Sequence, residues 1–272
     1  MCTVALYLNY LIQSGVSTAV LNAAYYSIKW EHDLNLYDSI LNDKLLDMVL
    51  EGGIRLLSKP LKRKEPITPT ILKSIIAKFD KNDNLPGLRI CAMMLLGFSG
   101  FLRYDELAHI RSSDLTFNDS HLQINIQKSK TDRYRQGNTI LISRTGTDLC
   151  PVAMLQKYFR VASLPVGSED YIFRALSYFK SIDKHKLACT NRPLSYTRTR
   201  EIILNAISEI GLNSSLFGLH SLRSGGVTAA ASNSVPDRLL KAHGRWKTDK
   251  AKDGYIKEKL ENRLKISQNL GL

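Results

Sequence analysis

Cysteine is scarce and unpatterned. Cys2, Cys91, Cys150 and Cys189 are the only four in 272 residues, and none forms a CxxC pair or a metal-like spacing. The pattern predicts reduced thiols in an intracellular protein and offers no zinc site. Long apolar runs are also missing: Ile90 to Phe101 is the longest candidate and is too short to span a bilayer. The first residues, Met1-Cys-Thr-Val-Ala-Leu-Tyr, carry no basic region ahead of the apolar ones, so no secretory signal is read there. No internal repeat and no low-complexity tract interrupts the chain.

Acidic residues are in short supply too. Lys and Arg number 38 against 25 Asp and Glu, a net charge of +13, and the pI is about 9.6. This excess favours a polyanionic partner held by counterion release. The positives are spread along the chain and form no basic tail, which suits a broad surface better than a polybasic membrane anchor. Hydrophobic residues make up 44%, enough for a real core, and the length allows one large domain or two moderate ones.

Helical spacing dominates residues 1–58. Tyr7, Leu8, Tyr10 and Leu11 form one periodic set, and Val20, Leu21, Ala24, Tyr25 and Ile28 form another. A third helix begins near Asn42 or Asp43, either of which can cap it. The stretch 59–67 then breaks the pattern. Pro60, Pro66 and Pro69 oppose helix, and Lys59, Lys62, Arg63 and Lys64 concentrate charge there, as in an interdomain linker. Thr68 caps the next helix, with Pro69 in its first turn. Leu88 to Gly97 predicts a buried helix. His121-Leu-Gln-Ile-Asn-Ile and Asn138-Thr-Ile-Leu-Ile alternate with period two and predict two strands, joined by the polar segment Gln127 to Gly137. Helices are expected to dominate from there to the end. The sum is a mainly α chain with a small antiparallel hairpin or sheet, an α+β fold.

The chemistry concentrates in the last quarter. His220 and Arg223 lie three apart, one turn along a helix face. Trp246 follows in Gly244-Arg-Trp, and Tyr255 comes nine residues after it. Arginine forks suit two non-bridging phosphate oxygens, an indole N–H donates one hydrogen bond, and a phenolic oxygen can attack. Upstream, Arg103 precedes Glu106 by three residues in Gly97-Phe-Ser-Gly-Phe-Leu-Arg-Tyr-Asp-Glu, and Gln127-Lys-Ser-Lys-Thr-Asp-Arg supplies lysines between the strands. Gly225 and Gly226 would let the helix after His220 pack closely or let backbone approach a ligand.

These residues, in this order, resemble the signature of tyrosine recombinases, the phage-integrase, Xer and Cre type, from about Ile67 to Leu272. The resemblance implies that fold for 68–272, with 59–67 as basic linker and 1–58 as a helical core-binding (DNA-clamp) domain. That domain has about three helices where the family has four or five. It implies cleavage and rejoining of double-stranded DNA through a 3′-phosphotyrosyl bond. Tyr255 would be the nucleophile, Arg103, Arg223 and Trp246 the phosphate clamp, and His220 a proton-transfer group. Glu106 would support the site. Lys130 would protonate the leaving 5′ oxygen, with Lys128 as the other candidate. Counting back from Tyr255 gives Trp246 the role that many relatives assign to a histidine, leaving His243 as a helix-end residue or local DNA contact. The expected DNA contacts are Lys59, Lys62, Arg63, Lys64, Lys128, Arg133 and Arg245. The 59–67 stretch reads either as a solvated loop or as a strap on the DNA backbone. No metal, ATP or other cofactor is implied. Four copies on two DNA segments are expected, coupled through the terminal helix. The wording Gly100-Phe-Leu-Arg, Arg144-Thr-Gly-Thr-Asp-Leu-Cys-Pro and Gly244-Arg-Trp-Lys resembles recombinases of eukaryotic retroelements, which implies a nuclear location. A silent DNA-binding descendant of a mobile element and a type IB topoisomerase are the alternative readings.

Overall fold

The computed structural model describes residues 2–35, 44–60, 62–128, 137–258 and 260–271. The chain divides into two compact units, Met1–Arg63 and Lys64–Leu272. Among the described residues the first holds three helices, α1 (Cys2–Gln13), α2 (Thr18–Leu34) and α3 (Lys44–Leu57). Ser17 starts α2 by accepting the Val20 N–H at 3.3 Å. Leu8, Leu21, Tyr25, Leu46 and Leu50 are its buried centre. Gly53 lets α3 approach, since a Cβ there would meet Ile12 and Leu21. Asn42 and Asp43, the expected caps of α3, lie outside the described residues.

The second unit begins within the basic stretch rather than after it. The Glu65 N–H donates to Leu216 O at 2.8 Å and the Ile67 N–H to Ser221 O at 2.9 Å. Lys64 Nζ donates to Ser215 O. The last residues of the expected linker are therefore hydrogen-bonded into this unit.

Helix α4 (Pro69–Phe79) starts as the sequence predicts, with Thr68 Oγ1 accepting the Ile71 N–H at 3.2 Å. Helix α5 (Leu85–Ser99) is the central rod. Leu88, Cys91, Ala92, Met93, Met94, Leu95 and Leu96 are all buried on it. A helix apolar on every side needs neighbours on every side, and α5 touches α4, the short α6 (Tyr104–Ala108), α7 (Pro151–Ala162), α8 (Tyr196–Glu209) and α9 (His220–Ser232).

Strands β1 (Leu115–Phe117), β2 (His121–Ile126) and β3 (Asn138–Ser143) form an antiparallel sheet in that order. His121 pairs with Ser143 and Ile126 with Asn138. Leu122, Ile124, Ile126, Ile140 and Ile142 point into the core, as alternation predicts. Helices dominate the rest of the chain, as the sequence predicts. A second antiparallel pair interrupts them, β4 (Leu176–Phe179) with β5 (Lys184–Leu187). Its side chains are almost all exposed, so no apolar alternation marks it in the sequence. The chain closes with α10 (Asp237–Gly244), α11 (Asp249–Asp253) and α12 (Leu260–Gln268).

Two glycines set the depth at which α9 seats. A Cβ on Gly225 would lie 2.0 Å from Ile67 O, and one on Gly226 would lie 2.1 Å from Phe98 O. Both contacts are with main chain, which cannot swing aside. Gly225→Ala should therefore cost about 3 kcal/mol, the upper range of overpacking. Urea unfolding checks it, and a loss confined to a few tenths would show that α9 has room to shift.

Candidate active site

Two helix ends build the floor of the site. Helix α5 ends with Phe101 in the left-handed region, at φ +46°. The Leu102 N–H reaches Gly97 O at 3.1 Å and the Phe101 N–H reaches Phe98 O at 3.4 Å, which is the Schellman pattern. Helix α10 ends the same way. Arg245 is left-handed at φ +58°, the Trp246 N–H reaches Lys241 O at 3.0 Å and the Arg245 N–H reaches Ala242 O at 3.1 Å. Each turn presents final carbonyls at the negative end of a helix, where cations are stabilised.

Guanidinium groups fill that position. Arg223, from the first turn of α9, is 0% exposed. Its Nη2 donates to Gly244 O at 2.5 Å and its Nη1 to Phe101 O. Arg245 is 8% exposed. Its Nη1 donates to His243 O at 2.7 Å and its Nη2 to Glu106 Oε2 at 2.7 Å. Arg103 precedes α6, and Glu106 binds it twice. Oε2 accepts the Arg103 N–H and Oε1 accepts Nη1, each at 2.8 Å. Arg223 Nη1 lies 3.8 Å from Glu106 Oε2. One carboxylate thus serves three guanidiniums.

Burial alone would raise the Glu106 carboxyl's pKa. The Arg245 guanidinium, the Arg103 N–H and the charges of Arg103 and Arg223 outweigh it and hold the group below its ordinary value. Burial, with repulsion from Arg103 and Arg245, pulls Arg223 down to about 9, and Glu106 and Tyr255 oppose the fall. Arg223 remains a cation at neutral pH.

The rings close over this cluster. The Arg223 guanidinium carbon lies 4.4 Å from the Trp246 ring centroid and 5.1 Å from that of Tyr255. The Trp246 and Tyr255 centroids are 5.5 Å apart, and those of His220 and Tyr255 are 6.2 Å apart. Gly244 makes room for the indole, whose ring carbons would lie 1.8 Å from a Cβ there. Trp246 Nε1, Arg223 Nε and Arg245 Nε are buried donors in this cluster with no acceptor among the described residues. Buried donors rarely stay unpaired, so the indole N–H in particular is available to an oxygen acceptor.

The expected residues fare differently. Arg103, Glu106, Arg223, Trp246 and Tyr255 come together, with exposed His220 at the edge. Lys130 and Arg133 lie outside the described residues. Lys128 is exposed and shares with Glu106 the lining of one surface depression, alongside Asp105, His109 and Asp114. Lys59, Lys62 and Arg63 are exposed in the first unit. Arg245 was expected on the DNA-facing surface. It is turned inward, where the His243 and Phe101 carbonyls and the Glu106 carboxylate accept from its two Nη groups.

His243 is a helix-end residue, with its Nε2–H donating to Ser99 O at 2.8 Å and its ring edge-on to Phe101 at 4.7 Å. Burial lowers its pKa, and Arg245 and Arg223 lower it further against the pull of Ser99 O. A lowered histidine pKa means the unfolded chain binds its proton first. Stability from this ring is therefore present above about pH 6.5 and falls as pH drops through the folded value. Chemical unfolding between pH 7.5 and 5 should show the wild type losing more stability than His243→Gln. Parallel losses would show that His243 is not held neutral.

Comparison with known proteins places this geometry. The profile of the phage integrase family matches residues 66–261, more than half of the chain. An integrase/recombinase xerD homolog from Selenomonas ruminantium is 32% identical over 196 residues, covering 72% of this chain and 54% of that protein. The chain thus spans about half the length of this curated relative. The Tn1549 transposon integrase in complex with transposon right end DNA is similar at TM-score 0.66 and 13% identity, over 99% of this chain and 84% of that one. The XerH site-specific recombinase bound to palindromic difH substrate gives 0.62 and 13%, over 98% and 68%. A lambda integrase dimer bound to a COC′ core site gives 0.58 and 17%, over 93% and 63%. These likenesses establish the tyrosine-recombinase catalytic fold, mostly helical with small antiparallel sheets. With the family match running from residue 66, ahead of α4, past Tyr255 to residue 261, the chain belongs to the phage integrase family.

Proposed function

We propose that this protein is a site-specific DNA recombinase or integrase that cuts and rejoins strands through a 3′-phosphotyrosyl intermediate. The Tyr255 phenolic oxygen attacks a DNA phosphorus. The new P–O bond forms as the bond to the 5′ oxygen breaks. His220 takes the phenol's proton, and Lys130 or Lys128 gives one to the leaving 5′ oxygen. Arg103, Arg223 and Trp246 bear the charge that grows on the non-bridging oxygens. Neighbouring cations also favour the phenolate over the phenol. A 5′ hydroxyl from another strand reverses the step, so the bond energy is conserved and no ATP is needed.

The observation that carries this reading is the meeting of Arg223, Trp246 and Tyr255 around donors that lack acceptors. A phosphate oxygen is the acceptor that both a guanidinium and an indole N–H fit. The net charge of +13 suits duplex DNA, and the similar XerH and Tn1549 structures are DNA complexes. Residues 1–58 would serve as the helical DNA-clamp domain. Helix α12 leaves Leu260, Leu264 and Ile266 exposed, with Leu270 just beyond. The same unit carries an open apolar groove lined by Phe98, Leu141, Val235 and Leu239. Docking of α12 from one copy into this groove on another would build a tetramer on two DNA segments.

One observation favours a second reading, a protein that binds DNA without cutting it. Arg223 has no exposed surface, so a phosphate reaches it only after the Tyr255 or Trp246 ring moves.

Nicked duplexes of randomised sequence, whose short fragment diffuses away after cutting, separate the two. The wild type should form SDS-resistant adducts, and Tyr255→Phe should form none while still shifting DNA in a salt-sensitive way. A wild type that shifts DNA yet never forms an adduct would establish the binding-only reading. Adducts in the phenylalanine variant would remove Tyr255 as nucleophile.

A further inference from the structure

We infer that Arg245 is a positioning residue that ties the Trp246 turn to the Arg103–Glu106 pair. The functional half of this inference rests on the strand-transfer reading above. Two observations carry it. The first is conformational. Arg245 holds φ +58°, a region that a side chain other than glycine, asparagine or aspartate seldom occupies. Such backbone persists where surrounding contacts over-determine it. The second is what the side chain does from there. It lies across both helix-end turns, donating to His243 O at 2.7 Å on one and approaching Phe101 O at 3.3 Å on the other. It ends on Glu106 Oε2 at 2.7 Å, the same oxygen that accepts the Arg103 N–H at 2.8 Å.

Arg245 is thus one covalent bond from Trp246 and one hydrogen bond from the carboxylate that holds Arg103. Its grip also decides what Glu106 does next. Arg223 Nη1 waits 3.8 Å from the same Oε2. With Arg245 absent, that oxygen loses its closest cation, and Arg223 is the nearest replacement. Arg223 would then be drawn from the Phe101 and Gly244 carbonyls toward Glu106. Arg245 therefore keeps Glu106 on Arg103 and leaves Arg223 for the phosphate. It touches no reacting atom.

The test uses the full chain in a Trp30→Phe background, where Trp246 is the remaining tryptophan. Glycine suits the left-handed backbone, so Arg245→Gly removes the guanidinium without backbone strain. Arg245→Lys keeps a cation and serves if the glycine variant fails to fold. Adduct formation on nicked duplex at saturating protein should fall on the order of 100-fold in Arg245→Gly, with DNA affinity unchanged. Arg245→Lys should recover part of the rate. Adding Glu106→Gln should slow the glycine variant by less than it slows the parent, because the Arg245–Glu106 link is lost only once while the Arg103–Glu106 pair is weakened in both. Acrylamide should quench Trp246 more readily in Arg245→Gly. A wild-type rate with wild-type quenching, or fully additive losses in the double variant, would overturn the inference. If the parent protein forms no adduct, quenching decides: a rise supports the tie while the strand-transfer reading fails, and no rise overturns the tie.

Discussion

Glu106 is a carboxylate 3% exposed, set among three arginines that approach from different parts of the chain. Three guanidiniums and one carboxylate leave +2 in a site that water scarcely reaches. Like charges that close repel strongly when desolvated. The cluster holds because each extra positive charge has its own compensation. Arg223 and Arg245 sit on carbonyls at the ends of α5 and α10, and Arg223 also faces two aromatic rings. Remove Glu106 and the compensation no longer suffices. Leave it in place and the surplus still invites an anion. The same balance that stabilises the folded site thus specifies what it accepts.

The fold serves this balance by bringing three helix ends to one point. Gly225 and Gly226 let α9 sink against Ile67 and the end of α5, which carries Arg223 under the Phe101 turn. Gly244 lets the Trp246 ring fold back over α10. Tyr255 arrives in the turn after the short α11, its N–H on Lys252 O at 2.9 Å. The half-buried Tyr255 ring covers Arg223, so an anion reaches that guanidinium only with movement of the ring.

Much of this was legible in the sequence because the chemistry constrains residue type and spacing together. His220 with Arg223, Trp246 nine residues before Tyr255, and Arg103 three before Glu106 each place two groups on one local frame. The buried α5 and the strands β2 and β3 were legible from periodicity. Arg245 was misplaced because a charged residue beside a DNA-binding motif reads as a surface cation, and nothing local reveals that Glu106, over 100 residues upstream, is its partner. The β4–β5 pair was missed because its faces are both wet and leave no alternation. The attachment of Lys64–Ile67 to the second unit was missed for a related reason. Main-chain hydrogen bonds to residues 216–221 leave no trace in side-chain pattern.

The most direct measurement is the titration of Glu106 itself, followed by carbon NMR on protein labelled at glutamate side-chain carboxyls, with Glu106→Gln assigning the resonance. A carboxyl governed by its three arginines titrates below the ordinary glutamate range. A midpoint above that range would mean that burial wins, that the guanidiniums are not gathered around this residue, and that the site is organised by something else.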